Sequence, residues 1–173
     1  MPWLVVSACL AGICCRHDAI ARRRDDVYAL WKAGAALALC PEVLGGLPVP
    51  RPPCEIGEGH MPPGLPPWGE TVSPDTLAAS MLAGVRVYRR DGTECTDAYV
   101  RGAREAVRQA LMAGCRVALL QARSPACGVG LVYDGSFSHR LVPGSGVFAR
   151  LARAAGLEVH DAGHVADAAS LKP

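Results

Sequence analysis

Ala35-Ala36-Leu37-Ala38-Leu39-Cys40-Pro41-Glu42-Val43-Leu44-Gly45-Gly46-Leu47-Pro48-Val49-Pro50-Arg51-Pro52-Pro53 is the stretch on which the fold turns. Ala35 to Leu39 is a short apolar run behind a helix-like segment and a glycine, which reads as a buried strand. Cys40 marks its end, because Pro41 cannot donate to a sheet ladder. Glu42, a Gly-Gly pair and a proline-stiffened loop carrying Arg51 follow. A thiol, a carboxylate and a guanidinium therefore meet on one loop at a strand end. A buried structural cysteine in a turn is the simpler reading of Cys-Pro-Glu alone. Two other stretches, Ser7-Ala8-Cys9 and Ser124-Pro125-Ala126-Cys127-Gly128, also place a cysteine just past a strand-like run.

Outward from that loop, Trp3 to Ser7 predicts a first strand, and Asp26 to Ala33 a short helix with Val27, Leu30 and Trp31 on one face and Gly34 as its stop. Two strands joined through a helix are parallel by a right-handed crossover. Gly57 to Ser73, containing His60 and Trp68, is a Pro/Gly-rich connector or a flap over the site. Val85 to Tyr88 with the Asp91-Gly92 turn predicts a small strand and hairpin. Thr96-Asp97 caps a helix from Ala98 to Met112, with Val100, Ala103, Val107 and Leu111 on its apolar face. Arg116 to Gln121 is a third parallel strand. Leu131 to Tyr133 and Arg140 to Val142 pair about Asp134-Gly135. Ser145 caps a helix from Val147 to Ala155, Leu157 to His160 is a last strand, and a weak terminal helix follows Asp161. The expected fold class is α/β: one domain over 1–173, with a mostly parallel, Rossmann-like open sheet flanked by helices and a small hairpin insertion.

At 173 residues with half of them apolar, the chain can bury a sizeable core and is not a disordered segment. No apolar run approaches the roughly 20 residues that span a bilayer, and the start carries no signal-peptide pattern. A cytoplasmic protein without a membrane partner is expected. The net charge is +2, and the single basic run, Arg22 to Arg24, is followed at once by Asp25-Asp26, so no polymeric nucleic-acid partner is expected. Eight cysteines in a cytoplasmic chain point to metal, redox or nucleophilic chemistry. None forms a Cys-x-x-Cys pair, so a shared site must be assembled by the fold.

In an open α/β sheet, ligands bind beyond the carboxyl ends of the strands. Cys9, Cys40 and Cys127 all fall at that edge. Three thiols with a fourth position open suit zinc or a [4Fe–4S] cluster. Glu42 and Ser124 lie beside them as groups that can move protons or orient water. Three buried structural cysteines, a non-catalytic cluster or metal sensor, and a persulfide-bearing sulfur carrier are the alternatives. Gly144-Ser145-Gly146 ahead of a helix is a candidate cradle for a nucleotide phosphate.

The motifs Val6-Ser7-Ala8-Cys9-Leu10 with Cys15-Arg16, Cys40-Pro41-Glu42-Val43-Leu44-Gly45-Gly46-Leu47-Pro48 running into Pro50-Arg51-Pro52-Pro53, and Arg123-Ser124-Pro125-Ala126-Cys127-Gly128 resemble the thiouracil desulfidase family, in the same order over nearly the whole chain. The resemblance implies a [4Fe–4S] cluster held by Cys9, Cys40 and Cys127, with one open iron that binds the sulfur of a thiolated uracil. It implies a non-redox reaction in which water replaces the sulfur and sulfide leaves, on free thiouracil or 4-thiouridine monophosphate. By position, Glu42 and Ser124 are the catalytic candidates, and Asp18 and Arg51 the substrate-orienting ones. The chain departs from the family's common pattern at His17 (often Tyr), Ala19 (often Gly), Ala126 (often a second Ser) and Cys54 (often a small residue other than Cys).

Overall fold

The structure, a computed structural model, describes residues 1–58 and 73–173. Its frame is a parallel sheet in the order β2 (Ala36–Leu39), β1 (Leu4–Ser7), β5 (Val117–Leu120), β8 (Glu158–Asp161). The chain passes from β1 to β2 on one side, through α1 (Asp25–Lys32), and later reaches β5 on the other side of β1. The direction of winding reverses between β1 and β5, where open sheets form a crevice. Cys9 and Cys127 flank that reversal.

Strand β1 is buried along its whole length, with Leu4, Val5 and Val6 fully inaccessible. Alternation then divides it between two cores. Val5 packs with Leu120, Val100 and Phe148 under α4 (Thr96–Met112) and α5 (Val147–Ala154). Leu4 and Val6 pack with Leu119 and Val27 on the α1 side. On α4, Val100, Ala103 and Val107 are buried as expected, but Leu111 is exposed and Ala110 takes the inward position.

Three elements were not expected from the sequence. Pro41–Leu44 forms a one-turn helix, α2, that begins directly after Cys40. Its neighbour α4 approaches so closely that a Cβ on Gly102 would lie 1.8 Å from the Pro41 carbonyl oxygen, and one on Gly45 would lie 2.0 Å from that of Ala98. Cys54–Glu58 is a strand, β3, paired antiparallel with β4 (Arg86–Arg89). The expected Asp91-Gly92 turn is present, with the Arg89 N–H donating to Thr93 O at 2.9 Å, but β4's main partner is β3 rather than the returning segment. Pro74–Gly84 is helix α3, capped by Ser73, whose hydroxyl accepts the Thr76 N–H. His60 and Trp68 of the suggested flap lie outside the described residues.

The hairpin β6–β7 (Leu131–Tyr133, Leu141–Pro143) forms as expected, but its register centres the loop on Phe137, over residues 134–140 with the Asp134 N–H on Arg140 O, rather than on a tight turn at Asp134-Gly135. The tail is a single 3-10 turn, Ala168–Leu171, held to α1 through the Asp26 carboxylate.

Candidate active site

Beyond the carboxyl ends of β1, β2 and β5 lies a cavity of about 500 Å³. Cys9, Cys40 and Cys127 line it, each carried from its own strand end, and Cys15 joins them from the loop after Gly12. Each thiol has a different backbone mount. Cys9 sits in the 3-10 turn Ala8–Ala11 that β1 runs into. Cys40 is the last extended residue before α2. Cys127 stands in a loop clamped by the start of α5: the Gly146 N–H donates to Gly128 O, Val147 to Pro125 O, and Phe148 to Ala126 O. A Cβ on Gly146 would sit 2.3 Å from the Ala126 oxygen, so the clamp depends on glycine there.

The thiols differ electrostatically. Burial pushes Cys9 up to about 11 and Cys127 well above the usual thiol range. Cys40 Sγ donates to the Cys15 carbonyl oxygen at 3.8 Å, and the contact between the two thiols raises Cys15 and lowers Cys40 despite the latter's burial. Ser7, whose hydroxyl accepts the Gln121 N–H at 2.9 Å, ties the end of β1 to the end of β5 beneath them.

Glu42 lines the same cavity in the first turn of α2. Arg51 binds it through Nε at 2.7 Å and through Nη2, both on Oε2, which leaves Oε1 for a water or a ligand. The remaining Arg51 donors reach the carbonyls of Pro48 and Cys15. Its side chain is 2% exposed and lines the cavity, and its hydrogen bonds fix Glu42 and the Cys15 loop. Asp18 does not line the cavity. It pairs with Arg16 at 3.3 Å and accepts the Ile20 N–H, so it acts behind Arg16.

Ser124 is at the cavity, and its hydroxyl accepts the N–H groups of Ala126 and Cys127, both at 3.1 Å. Its proton is left to donate. Gly144, Ser145 and Gly146 form no anion cradle. The Gly144 and Gly146 N–H groups are taken by Gly130 O and Gly128 O, and those of Val147 and Phe148 by the Cys127 loop. Ser145 is buried, with its hydroxyl accepting the Gly130 N–H and its carbonyl accepting Arg150 Nε, and Gly146 is the helix cap in its place.

The sequence profile of the 2-thiouracil desulfurase family matches residues 4–163. The chain belongs to that family. It is 33% identical over 156 residues to the uncharacterized protein YbbK of Bacillus subtilis (strain 168), covering 90% of this chain and 93% of YbbK. Among solved structures it is similar to the [4Fe-4S]-dependent thiouracil desulfidase TudS, with a TM-score of 0.75 and 33% identity, covering 95% of this chain and 93% of that one.

In this desulfurase-family chain, two of the departures noted in the sequence have structural expression. Ala19 adopts φ +56°, a left-handed conformation in which glycine is unstrained. Cys54 is buried, contacts Cys95 and Tyr99, and is pushed up to about 12, first by burial. Sequence reasoning missed Gln121, whose Oε1 is 4.0 Å from Cys9 Sγ, and a second wall of the cavity lined by Glu55, Arg90, Tyr133, Phe137 and His139. Positive φ angles at Phe137 and His139 mark that wall, and nothing local in the sequence announces them.

Proposed function

We propose that this chain, acting as one domain over 1–173, is a cytoplasmic [4Fe–4S]-dependent enzyme that hydrolyses the C–S bond of a small thiolated uracil, the free base or its nucleotide. The observation that carries the reading is the convergence of Cys9, Cys40 and Cys127 on one cavity that also holds the Glu42–Arg51 pair. The donor set fits the group. All three are soft sulfur ligands carried from separate strand ends, and all three line one cavity. Among the described residues, no three His, Cys, Asp or Glu side chains are gathered for a single metal ion. Eight unbridged cysteines favour a reducing compartment.

Cys9, Cys40 and Cys127 are the residues that would hold the cluster. When bound, such a cluster supplies a Lewis-acidic iron with an affinity for sulfur. The protein supplies the rest. Arg51 holds Glu42 by Oε2, so that Oε1 can take a proton from a water aimed at the ring carbon bearing the sulfur. Ser124 donates its hydroxyl proton to an acceptor on the ring edge. The products balance as uracil and hydrogen sulfide from thiouracil and water. Turnover in oxygen-18 water tests the hydrolytic step: one labelled oxygen in the uracil product is expected, and unlabelled uracil would refute it.

A further inference from the structure

A second group of lining residues, Glu55, Arg90, Tyr133, Phe137 and His139, has no part in the chemistry above, yet this wall is built with more constraint than a surface hairpin needs. Its anchor is Glu55 of β3, a carboxylate that is 92% buried by its 8% residual exposure. A buried charge is costly unless hydrogen-bonded. Here one oxygen, Oε2, accepts two backbone N–H groups from a segment some 80 residues away, those of Gly135 and Phe137, both at 3.0 Å. The turn is pressed so closely onto β3 that a Cβ on Gly135 would lie 2.4 Å from Gly57 Cα. Phe137 itself has φ +57°, a conformation that a bulky side chain seldom adopts and that its N–H bond to Glu55 holds in place.

The consequence of this anchoring is where the ring goes. Phe137 lines the cavity, and the Arg90 guanidinium stands 5.5 Å from its centroid. Tyr133 and His139 meet edge-to-face at 6.1 Å on the same wall. An aromatic ring with a cation beside it suits a planar heteroaromatic ring, which gains dispersion and stacking energy there without any sequence of hydrogen bonds.

We propose that Glu55 is a positioning residue that sets Phe137 as the stacking face for the pyrimidine ring of the substrate. The inference rests on the cavity being the substrate site, but not on the desulfuration step. Its test uses Glu55→Ala, Glu55→Gln and Phe137→Leu in the iron-loaded protein, with KM, kcat, iron content and calorimetric binding of uracil as readouts. Glu55→Ala should raise KM and weaken uracil binding about tenfold, the effect of losing one stacked base contact, with kcat and iron content held within about twofold. Glu55→Gln keeps an acceptor oxygen for the two N–H groups and should restore most of the affinity. Phe137→Leu keeps the bulk, removes the flat face, and should match Glu55→Ala in KM. It alone decides the matter if Glu55→Ala does not fold. Uracil binding that Phe137→Leu weakens would support the wall even if no protein released sulfide, which separates this inference from the proposed reaction. Unchanged uracil affinity and KM in Phe137→Leu, a fall in kcat at constant KM, or no uracil binding by the unmodified protein would overturn it.

Discussion

The two walls of the cavity are made by different means. The thiol wall is set by the backbone: Cys9, Cys40 and Cys127 are carried past the ends of β1, β2 and β5, whose parallel register fixes the edge. The aromatic wall depends on a side chain as well, with the Glu55 carboxylate holding the β6–β7 loop against β3. Sheet ladders distribute their hold over many bonds, so the thiol wall should survive single changes that leave its ligands in place. In the ring wall the loop carrying Phe137 is held to β3 by two hydrogen bonds to one oxygen and should be adjustable by single substitutions. The division suits a site in which one side must hold a reactive group in fixed geometry and the other must grip a ring that arrives and leaves.

The largest break in this contrast should come from Cys40→Ala. Losing one of three thiols from the backbone-set wall should drop bound iron to near zero and abolish turnover, whereas Cys14→Ala, at an exposed thiol, should change neither. Next is Glu42→Gln. It keeps the thiols and therefore the iron, but loses the proton acceptor, and kcat should fall by ~10²–10⁴-fold. Retained activity in that variant would remove Glu42 from the mechanism.

A smaller effect is expected from Gly102→Ala, which touches neither wall. Its Cβ would meet the Pro41 carbonyl at 1.8 Å and push α2, with Cys40 and Glu42 at its start, away from α4. Stability should drop by about 1–3 kcal/mol, read as a lowered urea midpoint together with faster loss of iron. The finest test concerns Cys15, which sharpens the thiol wall without forming its ligands. In metal-free protein, anaerobic alkylation of Cys40 should rise with pH as its thiolate forms. The neighbouring Cys15 thiol stabilises the thiolate once Cys40 has lost its proton, so the midpoint lies below the ordinary thiol value. Cys15→Ala removes the donor, so the midpoint should move to higher pH and alkylation near neutrality should slow. An identical pH profile would show that the Cys15 contact has no electrostatic effect.

The thiol wall was legible in the sequence for the same reason that it is robust. Short apolar runs ending in Ser7-Ala8-Cys9, Cys40-Pro41 and Ser124-Pro125 announce strands and their carboxyl ends, and topology does the rest. The ring wall was not, because its key contacts join Glu55 to residues some 80 positions away. Cys54-Glu55-Ile56-Gly57-Glu58 becomes a strand only through pairing with β4, and its proline-rich lead-in reads as loop. Helix α3 did leave a signal: Ser73-Pro74-Asp75 is an N-cap followed by proline at the first helical position. Arg51 and Ser145 show the opposite limit. Each has the right chemistry for a ligand, but the fold engages their polar groups internally, which no spacing pattern reveals.

The most direct test of the central claim is anaerobic reconstitution with iron and sulfide, followed by measurement of bound iron and of sulfide released from thiouracil and 4-thiouridine monophosphate, for the unmodified chain beside Cys9→Ala, Cys40→Ala and Cys127→Ala. About four iron atoms per chain with sulfide release in the unmodified protein, and neither in the three variants, is the predicted result. Full iron loading and turnover in any one of the three variants would contradict the assignment of the cavity's thiols as the cluster's ligands.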